Sequence, residues 1–108
     1  MSEFIGEYNK LVRDSIPHIA EQDGLTVYAR RLDDDEYEDA LLQKLVEEAT
    51  EAAESRGSLE ELADVLEVVR AICKVRGYHM SDIDDTRVKK RERKGGFDDR
   101  VYLERIAE

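Results

Sequence analysis

The stretch that decides the fold is residues 34–76, DDEYEDALLQKLVEEATEAAESRGSLEELADVLEVVRAICKVR. Its apolar residues recur every three or four positions, which is the period of an amphipathic helix. Arg56-Gly57 interrupts the pattern and Ser58 can cap a new helix, so we expect one helix from about Asp34 to Ser55 and a second over 59–76. Because the connection is short, the two helices should form an antiparallel hairpin.

The apolar stripes of these helices are the expected core. They consist of Leu41, Leu42, Leu45, Ala49 and Ala52 on the first helix and of Leu62, Val65, Leu66, Val68, Val69, Ile72 and Cys73 on the second. A lone hairpin leaves one flank open, so we expect a partner subunit to cover it, in a homodimer or a homotetramer.

Two shorter helices are predicted on either side of the hairpin. Asp14 or Ser15 can cap the first of them, with Pro17 in its first turn. Ser81 can cap the other, which should end near Lys94, before two glycines.

Residues 25–32 and 101–106 are rich in β-branched and aromatic side chains, and each is predicted to be a strand. The two strands are expected to pair. The predicted fold is therefore mainly α, a helical hairpin forming a four-helix-bundle-like core with a small β accessory.

Composition limits the classes of function. The 108 residues are the size of one domain, and 41% of them are charged, with a net charge of −10. Such a field disfavours nucleic acid and anionic lipid, and a polyphosphate would need a metal ion or a local basic patch. A high-salt cytoplasm and an ordinary acidic protein explain this charge equally well.

The location of the protein is predicted from what the sequence lacks. The opening residues 1–10 resemble neither a signal peptide nor a membrane span. The single cysteine, Cys73, lies in an apolar run and has no partner for an internal disulfide. We therefore expect a cytoplasmic protein without membrane contact.

Acidic residues crowd one arc of the first long helix. At 100° per residue, Glu47, Glu51 and Glu48 lie at about 0°, 40° and 100° around the axis. Like charges at this spacing repel one another unless they are compensated, and Lys44 on the same arc offers only partial relief.

The second helix places a carboxylate where a hydrophobe is expected. Glu61 begins the core-facing row that continues through Val65 and Val68, and Asp64 flanks that row. A buried carboxylate is costly unless it is paired or bound to a metal, and no Lys or Arg lies nearby on this face. The hairpin would bring both acids opposite Glu48 and Glu51, which makes a hard, oxygen-rich site suited to Mg²⁺, with Mn²⁺ as the alternative.

Two other interpretations of these acids compete with the metal site. Glu61 could reach back to the Ser58 amide in a capping box, which would explain Glu61 but not Asp64. A ferritin-like di-iron site needs Glu-x-x-His, and neither His18 nor His79 stands three residues after a helical Glu.

Cations concentrate in residues 87–94, which hold six of the 17 Lys and Arg residues. Cations at a helix C-terminus account for two or three of them, and the remainder favour an anion docked nearby. Lys10 and Arg13 form a smaller basic pair, for which surface salt bridges are an equally good explanation.

The segments KLVEEATEAAE (44–54) and ELADVLEVV (61–69) resemble the Glu-Glu-x-x-Glu … Glu-x-x-Asp signature of the all-α NTP pyrophosphohydrolase superfamily. The segments YNKLVRDSIP (8–17) and KKRERKGGF (89–97) are similar to a MazG-like branch of it. The resemblance covers nearly the whole chain.

This resemblance implies Mg²⁺-dependent hydrolysis of a nucleoside triphosphate between its α- and β-phosphates, releasing a monophosphate and pyrophosphate. It also implies roles for single residues: metal ligation by Glu48, Glu51, Glu61 and Asp64, metal ligation or orientation of the attacking water by Glu47, and phosphate contacts by Lys10, Arg13, Lys90, Arg91 and Arg93.

Two other functions are compatible with the same residues. One is hydrolysis of phosphoribosyl-ATP in histidine synthesis, which uses the same chemistry and the same metal site. The other is a non-catalytic helical interaction module, in which the acidic arc would be solvated surface.

Overall fold

A computed structural model describes residues 6–108. Its helices are α1 (Ile16–Gln22), α2 (Asp34–Glu54), α3 (Leu59–Arg76) and α4 (Met80–Lys94). The mainly helical fold predicted from the sequence is confirmed, and the two long helices begin and end within one residue of the predicted positions.

Local side-chain chemistry sets the start of α2. The Asp33 carboxylate accepts a hydrogen bond from the Glu36 amide at 2.8 Å, and the Glu36 carboxylate accepts one from the Asp33 amide at 3.3 Å. This reciprocal pair satisfies two amides that lack partners within the helix, and the acids of the first turn favour the positive end of the helix dipole.

The turn between α2 and α3 reverses the chain in four residues. Arg56 and Gly57 both have positive φ, at 58° and 81°, and the Gly57 amide donates to the Ala52 carbonyl at 2.8 Å. Ser58 then caps α3, since its hydroxyl accepts from the Glu61 amide at 3.3 Å. This tight turn determines which residues of the two helices face each other.

The two long helices pack antiparallel, as predicted. An ion pair joins Arg76 at the end of α3 to Glu38 near the start of α2. The buried hydrophobic residues of the hairpin are Leu41, Ala52, Val68 and Cys73. The core is thin, and Glu48 lies buried within it.

Part of each predicted stripe faces outward instead. Leu42 of α2 is 44% exposed, and Leu62 and Leu66 of α3 are 51% and 58% exposed; Val46 of α2, which lies outside the predicted stripe, is 64% exposed. We call these four residues the exposed rows. Their exposure agrees with the predicted open flank of the hairpin. That a partner subunit covers this flank remains a prediction.

The β accessory predicted from the sequence is wrong. The described residues contain no strand, and 25–32 and 101–106 have no regular secondary structure. A strand needs backbone hydrogen bonds to a second extended segment, and neither stretch makes them within the described chain. Tyr28 and Tyr102 in these segments are 94% and 87% exposed.

The first and last helices differ from prediction only in their caps. Ser15 stands at the cap position of α1, but its side chain makes no capping hydrogen bond. The predicted cap of α4, Ser81, lies inside the helix, which begins at Met80. The His79 amide instead donates to the Asp82 carboxylate at 2.8 Å.

Helix α4 stands apart from the hairpin. None of its residues is buried, and the described chain extends over 63 × 33 × 26 Å. Each helix in residues 6–108 is too short or too polar to cross a lipid bilayer.

We predict that Leu41→Ala destabilises the hairpin by about 2–4 kcal/mol, because it removes a core side chain and leaves a cavity. Leu41 is 3% exposed. Leu59→Ala is the matched control: Leu59 is 85% exposed, and its loss should change stability by about 0.5 kcal/mol or less. Urea unfolding followed by circular dichroism measures both, and equal effects would contradict the assigned core.

Candidate metal centre

Three carboxylates from two helices converge near the turn end of the hairpin. Glu48 and Glu51 lie one turn apart on α2, and Glu61 lies in the first turn of α3. One carboxylate oxygen from each lies within 4.8 Å of the other two. The convergence predicted from helical spacing is present for these three residues.

Glu48 is the buried member of this group. It is only 7% exposed, and one of its oxygens forms an ion pair with the Lys44 ammonium at 3.2 Å. Its other oxygen, Oε2, is buried and has no hydrogen-bond partner among the described residues. Burial raises the pKa of Glu48, and the negative charges of Glu51 and Asp64 raise it further against the opposing effect of Lys44.

Glu61 supplies a second buried oxygen without a partner in the described chain, also Oε2. The capping-box interpretation is wrong for its carboxylate, because the Ser58 amide donates to the Ser55 hydroxyl at 3.1 Å instead. The Glu61 amide does bond to Ser58, so only the backbone of Glu61 takes part in the cap. Its carboxylate is left to face the acids of α2.

Two further acids lie at the rim, and each is paired with a cation from the N-terminal segment. The Asp64 carboxylate accepts from Arg13 at 2.6 Å, and Glu47 accepts from Lys10 at 2.7 Å. The hydrogen bond from Lys10 lowers the pKa of Glu47, and the charge of Lys44 contributes in the same direction. The salt bridges considered for Lys10 and Arg13 are therefore present, and their partners are acids that the sequence assigns to the metal site.

The charges at this centre do not balance. Five carboxylates, Glu47, Glu48, Glu51, Glu61 and Asp64, face three cations, Lys10, Arg13 and Lys44. With all five ionised, two negative charges remain, which equals the charge that one divalent cation would neutralise.

The donor set fits Mg²⁺ or Mn²⁺. Hard divalent ions take carboxylate oxygens, and Mg²⁺ binds them at 2.0–2.1 Å, so that ligand oxygens on one ion lie about 3–4 Å apart. The three oxygens, within 4.8 Å of one another, would need to close by only about 1 Å around such an ion. The partnerless oxygens of Glu48 and Glu61 would be available to such an ion, because they lack any other compensation among the described residues.

The N-terminal segment borders a cleft beside this centre. Residues 7–13, which we call the N-terminal strap, run against α2, with Leu11 and Val12 half-buried. A cleft of about 430 Å³ lies between the strap and α2, and its lining includes Asn9, Gln43 and Glu47. Small-molecule sites have volumes of this order.

The basic residues of α4 are not part of this arrangement. Lys90, Arg91 and Arg93 are exposed on a helix that has no buried residue. Arg91 reaches Asp98 at 3.4 Å, beyond the end of its own helix. Within one chain, the structure does not bring these three predicted phosphate contacts together with the acidic centre.

Lys44 is more important to the centre than its sequence pattern predicts. It gives Glu48 the only counter-cation within 4 Å among the described residues, and it lies four positions before Glu48 on the same helix. The spacing is a usable signal, although Lys preceding Glu is the weaker orientation of such a pair.

Comparison of the chain with protein-family models, with curated proteins and with solved structures gives no match.

We predict that Glu48→Gln makes the metal-free protein more stable at pH 7. Folding raises the pKa of Glu48, so the folded protein loses stability as the pH rises through that pKa and Glu48 ionises. The glutamine of the mutant cannot ionise, so the mutant avoids this loss. Urea midpoints in EDTA should be higher for the mutant at pH 7 and should converge with those of the wild type near pH 4.

Glu67→Gln is the control for this prediction, since Glu67 is an exposed acid of α3 in a weak 3.7 Å pair with Arg70. It should move the midpoint little at either pH. A Glu48→Gln protein that is less stable than the wild type at pH 7 would contradict the account of burial.

Proposed function

We propose that the protein is a Mg²⁺-dependent nucleoside triphosphate pyrophosphohydrolase, which cleaves between the α- and β-phosphates to release a monophosphate and pyrophosphate. The observation that carries the proposal is that Glu48 and Glu61, whose carboxylates converge from two helices, each hold a buried oxygen without a partner in the described chain. The resemblance of residues 44–69 to the NTP pyrophosphohydrolase signature supports the reaction class.

The acids have distinct roles in this proposal. Glu48, Glu51 and Glu61 would hold the ion, and Asp64 would join them once Arg13 is displaced. A bound Mg²⁺ would neutralise charge that develops on the triphosphate in the transition state. Glu47, whose side chain is 28% exposed at the rim, would orient the attacking water.

The substrate would lie where the cations of the strap meet the acidic centre. Lys10 and Arg13 would contact its phosphates there, a role supported by their ion pairs at the rim of the acidic centre. The cleft beside Glu47 has room for the nucleoside, and the amide side chains of Asn9 and Gln43 offer hydrogen bonds to a base.

The test measures pyrophosphate release with Mg²⁺ from canonical and modified nucleoside triphosphates and from phosphoribosyl-ATP. Glu61→Gln and Asp64→Asn should each lower the activity by more than about 100-fold, since changes of outer-shell residues alone cost 10- to 100-fold. Glu60→Gln, a change of the exposed neighbouring acid, should keep it. EDTA should abolish activity, and Mg²⁺ should restore it.

The substrate panel separates the alternatives. Cleavage of phosphoribosyl-ATP alone would assign the site to histidine synthesis, whereas no pyrophosphate from any nucleotide would favour the interaction module. A folded Glu61→Gln protein with full activity would overturn the metal assignment.

Self-association into a homodimer or homotetramer is a further part of the proposal. The exposed rows present four large apolar side chains to solvent, and the isolated α4 would gain a surface to pack on. Association would also allow the cations of α4 to approach the acidic centre of another chain.

We predict that Leu66→Glu shifts the protein toward a monomer in sedimentation velocity, because it introduces a charge into the exposed rows. Ile19→Glu, on α1, is the matched control, since Ile19 is 42% exposed and lies outside the hairpin. A wild-type protein that sediments as a monomer at all concentrations would contradict self-association.

A further inference from the structure

The strap connects two distant parts of the chain through its cations. Lys10 and Glu47 are 37 residues apart in sequence, and Arg13 and Asp64 are 51 apart, yet both pairs are close. Leu11 and Val12, between the two cations, are half-buried. One pair engages α2 and the other engages α3, so the strap crosses both helices that build the acidic centre.

The cations of the strap neutralise part of the negative charge that a metal ion would neutralise. The pKa of Lys10 is raised chiefly by its hydrogen bond to Glu47, and the charges of Glu51 and Glu48 raise it as well. Lys10 therefore lies in the field of the metal-binding acids and not only of its direct partner. Arg13 occupies one oxygen of Asp64, a proposed ligand.

We propose that the N-terminal strap is a built-in competitor of the divalent metal ion, holding Asp64 and Glu47 until the metal displaces Arg13 and Lys10 toward the triphosphate. This inference rests on the proposed function.

The exchange couples metal binding to substrate binding. Binding of the metal alone must break the Arg13–Asp64 ion pair and bring a cation close to Lys10, and both effects weaken its binding. A triphosphate offers the released cations new anionic partners, and Arg13 can bind phosphate oxygens through two parallel hydrogen bonds. Metal and triphosphate should therefore each strengthen the binding of the other, as reciprocal linkage requires.

The test compares Mn²⁺ affinities by isothermal titration calorimetry for the wild type, Arg13→Gln and a matched control, Arg30→Gln. Arg30 also pairs with a carboxylate, that of Glu36, at 2.8 Å. Both changes remove one positive charge, but Glu36 lies about 16 Å from Glu47 along the axis of α2. That exceeds the screening length of about 8 Å at physiological ionic strength, so the control leaves the centre nearly unaffected.

We expect Arg13→Gln to bind Mn²⁺ about two- to fivefold more tightly than the wild type, the range set by the strength of a partly exposed ion pair. Arg30→Gln should match the wild type. With Mn²⁺ present, Arg13→Gln should bind inorganic triphosphate more weakly than Arg30→Gln does, because a phosphate contact is lost. Lys10→Gln tests the other pair in the same way if Arg13→Gln does not fold.

The outcomes separate this inference from the function it rests on. If the wild type binds Mn²⁺ but the Arg13 and Lys10 variants bind it equally or more weakly, the strap is a structural support and the inference is overturned alone. If no variant binds Mn²⁺, the metal centre and the strap mechanism both fail.

Discussion

A carboxylate buried among hydrophobic side chains is the constraint on which the rest of the structure depends. Glu48 occupies a core position between two amphipathic helices, where an apolar residue would stabilise the fold more. Lys44 compensates one of its oxygens and leaves the other without a partner among the described residues. A hairpin of this size has few buried residues. The free-energy cost of burying an uncompensated charge is therefore a large fraction of its free energy of unfolding.

The short turn between α2 and α3 determines which carboxylates lie opposite Glu48. Positive φ at Arg56 and Gly57 and the cap at Ser58 reverse the chain so that the first turn of α3 faces the last two turns of α2. Glu61 therefore lies opposite Glu48 and Glu51, and one carboxylate oxygen of each lies within 4.8 Å of the other two. Because the caps use backbone amides and Ser58, the carboxylates themselves remain available to a ligand.

Because the net charge is −10, the places where cations gather indicate where acidic charge is compensated. Three of them gather at the acidic centre, and the strap brings two of these from outside the hairpin. Elsewhere, α4 carries its cations on a helix without a buried residue. Lys10 and Arg13 therefore lie nearer to the acidic centre than the denser basic segment that stands out in the sequence.

The sequence by itself determined the elements whose causes are local. Helical periodicity, the acids at the start of α2, the Ser58 cap and the glycine-bearing turn predict α2 and α3 to within a residue, and helical spacing predicts that Glu48, Glu51 and Glu61 converge. Only the tertiary structure decided the pairing of Arg13 with Asp64 and Lys10 with Glu47, because contacts between residues so far apart leave no local signal. It likewise decided that 25–32 and 101–106 are not strands. A segment with high β propensity forms a strand only where a second extended segment lies alongside and shares its backbone hydrogen bonds.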